Sequence, residues 1–234
     1  MIQLSLILPV HNEADIIRSV SKTIYKTLDS LSISYEIIFV ENGSTDNSLF
    51  FIKDIVKKHT SSYAITSEKG YGSAVRAGLK KARGKYVCYM PSDGQVDLSV
   101  IAKLWSLANA KTFELVKVKR PSRENSIRLM TSLFFSSIIS ILFHTPFIDI
   151  NGSPRIFLRR ALPVLSLVSS DSFIDAEFLI KATQLGWKIK EIPMKHMNRL
   201  GGKSTRSYKT YIEFLQNIYT YKTSSIIAKW KNQL

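Results

Sequence analysis

The stretch YVCYMPSDGQ, residues 86–95, joins a short apolar strand directly to a turn that carries one carboxylate and one carboxamide. Asp93 and Gln95 stand two residues apart, so both can direct an oxygen at one hard cation such as Mg²⁺ or Mn²⁺. A divalent cation with so few protein ligands usually completes its shell with phosphate oxygens, which indicates a nucleotide-diphosphate substrate. Ser-Asp-Gly is also a common turn, and the segment alone favours that simpler interpretation.

Upstream of this turn, apolar strands alternate with amphipathic helices. We predict strands at 4–9, 35–40, 62–66 and 86–90, and helices at 13–31, from about 47 to His59, and at 72–83. The alternation predicts an α/β fold, a single Rossmann-like domain whose mostly parallel central sheet is covered by helices on both faces. Because ligands bind beyond the carboxyl ends of such strands, the loops at 9–11, 41–42 and 91–95 should meet in one crevice.

The second half of the chain has a different pattern. We predict strands at 113–118 and 188–197, the latter an edge strand because it contains Pro193, and helices at 126–143, 173–185 and from Tyr211 onward. The helix at 126–143 is apolar nearly all round, so it is either buried or lies in a membrane interface. Its uncharged run is shorter than the roughly 20 apolar residues that span a bilayer, so we expect no transmembrane helix. Residues 1–10 lack the basic leader of a signal peptide.

The overall charge limits the classes of partner. The 234 residues include 33 Lys and Arg against 18 Asp and Glu, a formal charge of +15. Such a balance predicts a polyanionic partner: nucleic acid, an anionic membrane surface or a phosphorylated substrate. The basic residues are not interleaved with aromatic residues in a known nucleic-acid motif, which argues against nucleic acid. The single cysteine, Cys88, cannot form a disulfide within the chain, so an intracellular setting is favoured.

Six motifs occur in order along nearly the whole chain. They are PVHNE (9–13), VENGSTD (40–46), KGYGSA (69–74), SDGQ (92–95), DINGSPR (149–155) and RLGGKS (199–204). Together they resemble family 2 glycosyltransferases with the glycosyltransferase A fold, especially the polyprenyl-phosphate sugar synthases of the dolichyl-phosphate mannose or glucose type. The resemblance implies one glycosyltransferase domain, 1–234. Its residues 1–119 would bind the nucleotide sugar, and residues 120–234, with their interface helices, would bind the acceptor.

The resemblance also implies an activity and a set of site residues. The implied reaction is inverting transfer of one sugar from a GDP- or UDP-linked donor to a polyprenyl phosphate, dolichyl or undecaprenyl. Donor nucleotide-binding residues would be Pro9, His11, Glu13, Glu41, Asn42, Lys69, Gly70, Gly72 and Ser92. Acceptor phosphate-binding residues would be Arg120, Arg128, Ser132, Arg199 and Lys203. Asp93, Arg128, Arg199 and Lys203 would be catalytic, and Asp93 and Gln95 would hold the divalent cation.

Several of these residues also have simpler interpretations. Glu13 opens a helix, where a carboxylate is favourable in any case, or it holds a ribose hydroxyl. Glu41 accepts a hydrogen bond from the nucleotide base, or it stabilises the turn that follows it. Gly70 and Gly72 allow the backbone to approach phosphates, or they belong to a plain turn.

The chain departs from the family pattern at two acidic positions. Pro91 stands where the first Asp of the usual Asp-x-Asp is expected, which removes one carboxylate from the cation site. Asn42 replaces the second Asp of the base-binding pair. The transmembrane hairpins of some relatives are missing as well. Membrane contact would then fall to the 126–143 helix, the basic surface, a membrane partner subunit or a second copy, with the chain peripheral on the cytoplasmic face.

Two other functions remain open at the level of sequence. The same fold can glycosylate a glycan hydroxyl in cell-surface polysaccharide synthesis, a reaction that needs a base such as Asp171 or Asp175. The loss of the first Asp at Pro91 also permits a non-catalytic, membrane-associated homologue.

Overall fold

The computed structural model describes residues 1–120, 126–147, 149–195, 197 and 208–234, without the side chains of 126–128 and 208–209. Its strands are β1 (Leu4–Val10), β2 (Tyr35–Glu41), β3 (Ser62–Thr66), β4 (Tyr86–Tyr89), β5 (Leu115–Lys119), β6 (Arg155–Leu158) and β7 (Ile189–Pro193). Its helices are α1 (Ile17–Asp29), α2 (Ser48–Lys58), α3 (Tyr71–Lys81), α4 (Val100–Asn109), α5 (Ser126–Phe143), α6 (Leu162–Leu165), α7 (Ile174–Gln184), α8 (Tyr208–Thr223) and α9 (Ile226–Lys231).

The described strands form one sheet in the order β3-β2-β1-β4-β6-β5-β7. Neighbours pair in parallel except at β6, which is antiparallel to both β4 and β5. The predicted α/β fold with a mostly parallel sheet is confirmed. Because β6 runs in reverse, its first residue, Arg155, pairs with Tyr89 on one side and Lys117 on the other. The Arg155 side chain therefore lies between the carboxyl ends of β4 and β5.

Helices cover both faces of the sheet, because successive strand residues point to opposite sides. In β1, Leu6 and Leu8 pack into the core with α1, α2 and α4, whereas Ile7 packs into the core with α3, α5, α7 and α8. β1, β2 and β4 are buried on both faces, which explains why their sequences read as nearly continuous apolar runs.

The predicted elements agree with the structure except in a few places. β7 lies at the edge of the sheet, as predicted, but it ends at Pro193 rather than at residue 197. The helix predicted from Glu13 begins only at Ile17, because Glu13 to Ile16 form a turn in which the Glu13 carbonyl accepts the N–H of Ile16 and of Ile17. The last helix begins at Tyr208 rather than Tyr211 and is followed by the separate α9. The sequence reasoning did not identify α4, α6 or β6.

α5 is buried on one side and exposed on the other. Ser136, Ile139 and Phe143 are buried against the core, while Met130 and Phe134 point outward and are 70% and 58% exposed. Within the described residues, no helix has the length and apolar character needed to cross a bilayer.

Candidate functional site

A cavity of about 670 Å³ opens at the carboxyl ends of β1, β2 and β4. One wall comes from the loops that follow these strands and from the first residues before and in α3. The opposite wall comes from α5, α8, the start of α7 and the segment that precedes β6. Three loops were expected to converge here. Loops 9–11 and 91–95 supply several wall residues each, whereas loop 41–42 contributes Asn42 alone.

The first loop is fixed to its neighbours by short hydrogen bonds. Ser92 Oγ donates to the Pro9 carbonyl at 2.8 Å, which ties the end of β4 to the end of β1. His11 Nδ1 lies 2.9 Å from the Asn42 carbonyl, which can only accept, so Nδ1 carries the proton. Glu13 is 6% exposed and, like Pro9, His11 and Ser92, lines the cavity. These four predicted donor-binding residues are therefore together.

Asn42 organises the loop that leads into α3. Its Nδ2 donates to Ser67 Oγ at 2.9 Å and to the Glu68 carbonyl at 2.6 Å, and its Oδ1 accepts the Gly70 N–H at 3.1 Å. The side chain is thus engaged by the protein itself, although it also lines the cavity. Lys69 and Gly70, which this loop presents, line the cavity as predicted.

Glu41 does not line the cavity, although a base contact was predicted for it. It is buried, and its Oε1 accepts the backbone N–H of Ser44. This geometry favours the alternative interpretation, in which Glu41 stabilises the turn after β2.

The two glycines before and in α3 serve close packing. A Cβ on Gly70 would lie 2.3 Å from the Ser170 carbonyl oxygen, and one on Gly72 would lie 2.5 Å from that of Ser169. Gly70 also has φ +128, which disfavours a side chain. The close approach that these glycines allow is therefore to the segment 169–171, and Gly72 does not line the cavity.

The turn after β4 presents both predicted cation ligands to the cavity. Asp93 Oδ1 accepts the N–H of Gln95 at 3.1 Å, and Asp93, Gln95 and Pro91 all line the wall. The Gln95 carbonyl accepts the N–H of Met197 at 3.2 Å, which attaches the turn to the chain beyond β7. No cluster of three or more His, Cys, Asp or Glu suited to a metal occurs among the described residues. Two oxygen donors beside an open cavity fit a hard cation that takes its other ligands from phosphate and water.

On the opposite wall, Arg120 is held by Asp149. Its Nε and Nη2 donate to the two carboxylate oxygens at 2.8 Å each, and its backbone N–H donates at 2.9 Å. Burial alone would lower the pKa of Arg120, but the hydrogen bonds and charge of Asp149 raise it, so the guanidinium stays charged. Ser132 lies nearby on α5 and lines the cavity. Arg199, Lys203 and the side chain of Arg128 lie outside the described residues.

A buried ion pair that the sequence reasoning missed lies beneath this wall. Arg155 is fully buried, and its Nη2 is 2.9 Å from Asp175 Oδ1, which also accepts the Tyr89 hydroxyl at 3.0 Å. Burial raises the pKa of Tyr89 well above its ordinary value, so the phenol remains a donor. Arg155 belongs to the DINGSPR motif, and Asp175 was considered as a base for a hydroxyl acceptor. Their pairing depends on the reversed strand β6, which was not predicted.

Asp171, the other carboxylate considered as a base, is also engaged. Its Oδ1 accepts the Phe173 N–H and its Oδ2 accepts Asn217 Nδ2, each at 2.7 Å. Both Asp171 and Asp175 line the cavity, but each is held by protein donors.

Comparison with known proteins places these observations in context. Residues 5–163 match the sequence profile of Glycosyl transferase family 2. Uncharacterized glycosyltransferases of Mycobacterium bovis and Mycobacterium tuberculosis are 26% identical over 203 residues, covering 86% of this chain and 88% of theirs. Glucosyl-3-phosphoglycerate synthase of Mycobacterium tuberculosis, solved with Mn²⁺, uridine diphosphate and phosphoglyceric acid, superposes with a TM-score of 0.68 at 18% identity. That alignment covers 93% of this chain and 76% of the synthase. The same synthase with Mg²⁺ and uridine diphosphate gives 0.68 at 17% identity, over 93% of this chain and 77% of the synthase.

Proposed function

This chain belongs to glycosyl transferase family 2, and from that premise we propose that it transfers one sugar from a nucleotide-diphosphate sugar to a polyprenyl phosphate. The anomeric carbon is inverted. Donor binding is assigned to residues 1–119 and acceptor binding to residues 120–234. The enzyme works as a peripheral protein on the cytoplasmic face of a membrane.

The observation that carries the choice of acceptor is the state of Asp171 and Asp175, the two cavity carboxylates considered as a base for a hydroxyl acceptor. A hydroxyl acceptor needs a general base, and a carboxylate whose oxygens already accept hydrogen bonds from the protein is less available to take the proton of a hydroxyl. Asp175 is paired with Arg155 and Tyr89, and Asp171 with Asn217 and the Phe173 N–H. A phosphate monoester is already an anion at neutral pH and needs only positioning and charge screening. A phosphate acceptor therefore suits this cavity.

Bond making and breaking follow from this acceptor. An oxygen of the acceptor phosphate attacks the anomeric carbon from the side opposite the nucleotide. The bond from that carbon to the donor diphosphate breaks, and the nucleoside diphosphate leaves with the bonding electron pair. No proton has to move. A divalent cation held by Asp93 and Gln95 would supply Lewis-acid stabilisation of the leaving diphosphate when bound.

The residues of each wall have distinct tasks in this proposal. His11, Glu13, Lys69 and Ser92 bind the nucleotide and its phosphates. Arg120, fixed by Asp149, and Ser132 receive the acceptor phosphate, together with Arg128, Arg199 and Lys203. Phe135, Tyr211 and Phe214 give the acceptor side an apolar and aromatic wall that suits the first isoprene units.

A transfer assay with labelled GDP- and UDP-linked sugars tests the proposal. Polyprenyl phosphate, phosphoglyceric acid and a glycan hydroxyl acceptor are compared in parallel, with Asp93→Ala as the inactive control. The proposal expects a lipid-linked product that forms only with the polyprenyl phosphate. Transfer to phosphoglyceric acid or a glycan without any lipid product would overturn it, as would no lipid product from any donor.

A further inference from the structure

The segment 166–170, between α6 and α7, has no regular secondary structure, yet a side chain of α7 holds its backbone. Glu177 is fully buried, and its Oε1 and Oε2 accept the N–H of Val168 at 3.0 and 3.1 Å. Oε2 also accepts the N–H of Ser169 at 2.8 Å. The carboxylate thus takes the place of the backbone acceptors that a strand or helix would provide for these two donors.

A buried cation completes the surroundings of Glu177. Lys181 lies one turn further along α7 and is 1% exposed, and its Nζ donates to Glu177 Oε1 at 2.7 Å and to the Ser166 carbonyl at 2.8 Å. Trp230 of α9 lies against this pair, with its ring centroid 5.4 Å from Lys181 Nζ. Its Nε1 donates to the Val164 carbonyl at 2.7 Å. Each oxygen of Glu177 therefore accepts at least two hydrogen bonds, in a place that water hardly reaches.

The same segment packs on its other side against the start of α3. Arg76 Nη1 donates to the Val168 carbonyl at 2.9 Å, and the Ser73 N–H donates to the Ser170 carbonyl at 2.9 Å. The glycines of this first turn bring the two backbones into close contact. Residues 69–71, which lead into α3, line the cavity. Their position therefore depends on the position of the segment 166–170.

From these contacts we propose that Glu177 is a positioning residue for sugar transfer, which holds the segment 166–170 against α3 and thereby places residues 69–71 at the donor phosphates. Glu177 is fully buried and does not line the cavity, so it acts through the segment and not on the substrate. Asp171 and Ser172, which follow the segment directly, do line the cavity. The inference rests on the proposed donor site but not on the proposed acceptor.

Glu177→Gln tests this role with almost no change of shape. The amide group replaces one oxygen by an NH₂ group, which would face either Lys181 or the N–H groups of Val168 and Ser169, all of them donors. We expect the variant to bind the nucleoside diphosphate about tenfold more weakly than wild type, because residues 69–71 are displaced. Calorimetry with UDP and with GDP, each with Mg²⁺, measures these affinities.

Glu36→Gln is the matched control for lost stability. Glu36 is also buried, pairs with Arg83 and accepts a backbone N–H, but neither residue lines the cavity. This control should lose stability and keep the wild-type nucleotide affinity. In the transfer assay, Glu177→Gln should raise the donor KM about tenfold and change kcat and the acceptor KM much less, a split that lost stability alone does not produce. Hydrogen exchange within 69–71 should increase in Glu177→Gln but not in Glu36→Gln.

Arg76→Met changes the same contact from the surface, so it decides the question if Glu177→Gln does not fold. Arg76 is exposed, and its loss removes the hydrogen bond to the Val168 carbonyl. We expect nucleotide binding to weaken about threefold. Lys80→Met removes the same charge one turn further along α3, also at an exposed position, and should keep the wild-type affinity.

The outcomes separate this inference from the proposed function. Equal nucleotide affinity in Glu177→Gln and Glu36→Gln overturns the positioning role, and so does an equal effect of Arg76→Met and Lys80→Met. A wild-type protein that binds neither UDP nor GDP overturns the proposed donor site and the role of Glu177 with it. Nucleotide binding that weakens in Glu177→Gln, without transfer to polyprenyl phosphate by wild type, removes the proposed acceptor and supports the positioning role.

Discussion

At the scale of single residues, the proposed reaction assigns the cation site almost entirely to Asp93. Pro91 supplies no carboxylate, so Asp93 is the sole acidic residue of the 91–95 turn. We expect Asp93→Ala to lower kcat/KM by about 100-fold or more, because the leaving diphosphate loses its cation. Calorimetry should show that Mg²⁺ no longer strengthens binding of the nucleoside diphosphate. The control variant Asp97→Ala removes a carboxylate four residues away that does not line the cavity, so Mg²⁺ should still strengthen binding of the nucleoside diphosphate. A similar loss in this control would refute the assignment of Asp93 to the cation site.

The amide of Asn42, which replaces an aspartate of the family pattern, is expected to stabilise the loop that leads into α3. Asn42→Asp removes two donated hydrogen bonds and turns a negative charge toward the Glu68 carbonyl. We expect a loss of about 1–3 kcal/mol in unfolding free energy and a higher KM for the donor, with kcat less affected. Urea denaturation and donor titrations measure both. The control variant Asn47→Asp adds the same charge at an exposed position and should change neither the unfolding free energy nor the donor KM. An unchanged donor KM in Asn42→Asp would show that the loop does not depend on this amide.

These residues show where sequence reasoning about the site succeeds and where it stops. Pro9, His11, Asp93 and Gln95 could be placed together, because parallel strands bring their carboxyl ends to one edge. Lys69 was added by the family resemblance alone. The inward or outward direction of Glu41 could not be predicted, since it depends on the local turn geometry. The sequence showed Glu41 only as an acid at a strand end.

At the scale of elements, the packing of α3 against the segment 169–171 leaves no space at Gly72. A Cβ there would lie 2.5 Å from the Ser169 oxygen and 2.7 Å from that of Asp171, both backbone atoms that move only with the chain. We expect Gly72→Ala to cost roughly 1–3 kcal/mol of stability and to increase hydrogen exchange in 169–173. Ser73→Ala, in the same helical turn, is the control and should have a much smaller effect on both. Wild-type exchange in Gly72→Ala would contradict this packing.

The contact between β2 and the end of α3 predicts a specific pH dependence. Glu36 is 1% exposed and accepts Ser5 Oγ at 2.6 Å, and Arg83 donates its Nη2 at 2.7 Å. Burial opposes the charge of Glu36, but these hydrogen bonds and the Arg83 cation together lower its pKa below the ordinary 4.5. A lowered folded-state pKa contributes stability above the unfolded value that is lost as pH falls through the folded value.

Glu36→Gln measures that contribution. Wild type should lose stability between about pH 5 and about pH 3, while the variant, already less stable at pH 7, should show a flatter decline. Urea denaturation at several pH values measures both curves. Asp54→Asn, which removes two exposed ion pairs to Arg18 and Lys58, should leave the wild-type curve almost unchanged. Parallel curves for wild type and Glu36→Gln would contradict the assignment.

The elements that sequence reasoning missed have identifiable causes. β6 has four residues, too few for a period of two to stand out, and it follows Pro154. α4 carries buried residues at helical spacing, including Val100, Leu104 and Ala108, so its apolar pattern is sufficient to predict a helix. Most of the longer strands and helices could be predicted, because their apolar patterns extend over enough residues to distinguish the strand period of about 2 residues from the helix period of about 3.6.

At the scale of the whole molecule, ion pairs with fully buried cationic side chains lie on the neighbouring strands β5 and β6. Arg155 on β6 pairs with Asp175 on α7 and lies beside Tyr89 of β4, while Lys117 of β5 pairs with Glu191 of β7 at 2.8 Å. Such pairs rarely contribute net stability compared with apolar packing, but removal of one partner leaves a buried charge uncompensated. The floor of the cavity therefore contains buried charges that depend on one another, an arrangement that no single segment of the sequence reveals.

A double-mutant cycle at this pair tests that view of the floor. We expect Arg155→Met to cost about 3–5 kcal/mol, because it leaves the Asp175 carboxylate buried without its cation. Asp175→Asn in the same background should recover part of this loss, because the remaining side chain is neutral. Urea denaturation of the two single variants and the double variant gives the coupling free energy. Arg160→Met, at an exposed position just beyond β6, should be close to neutral. Additive losses would show that Arg155 stabilises the floor by packing on Tyr89 and Phe178 rather than by compensating Asp175.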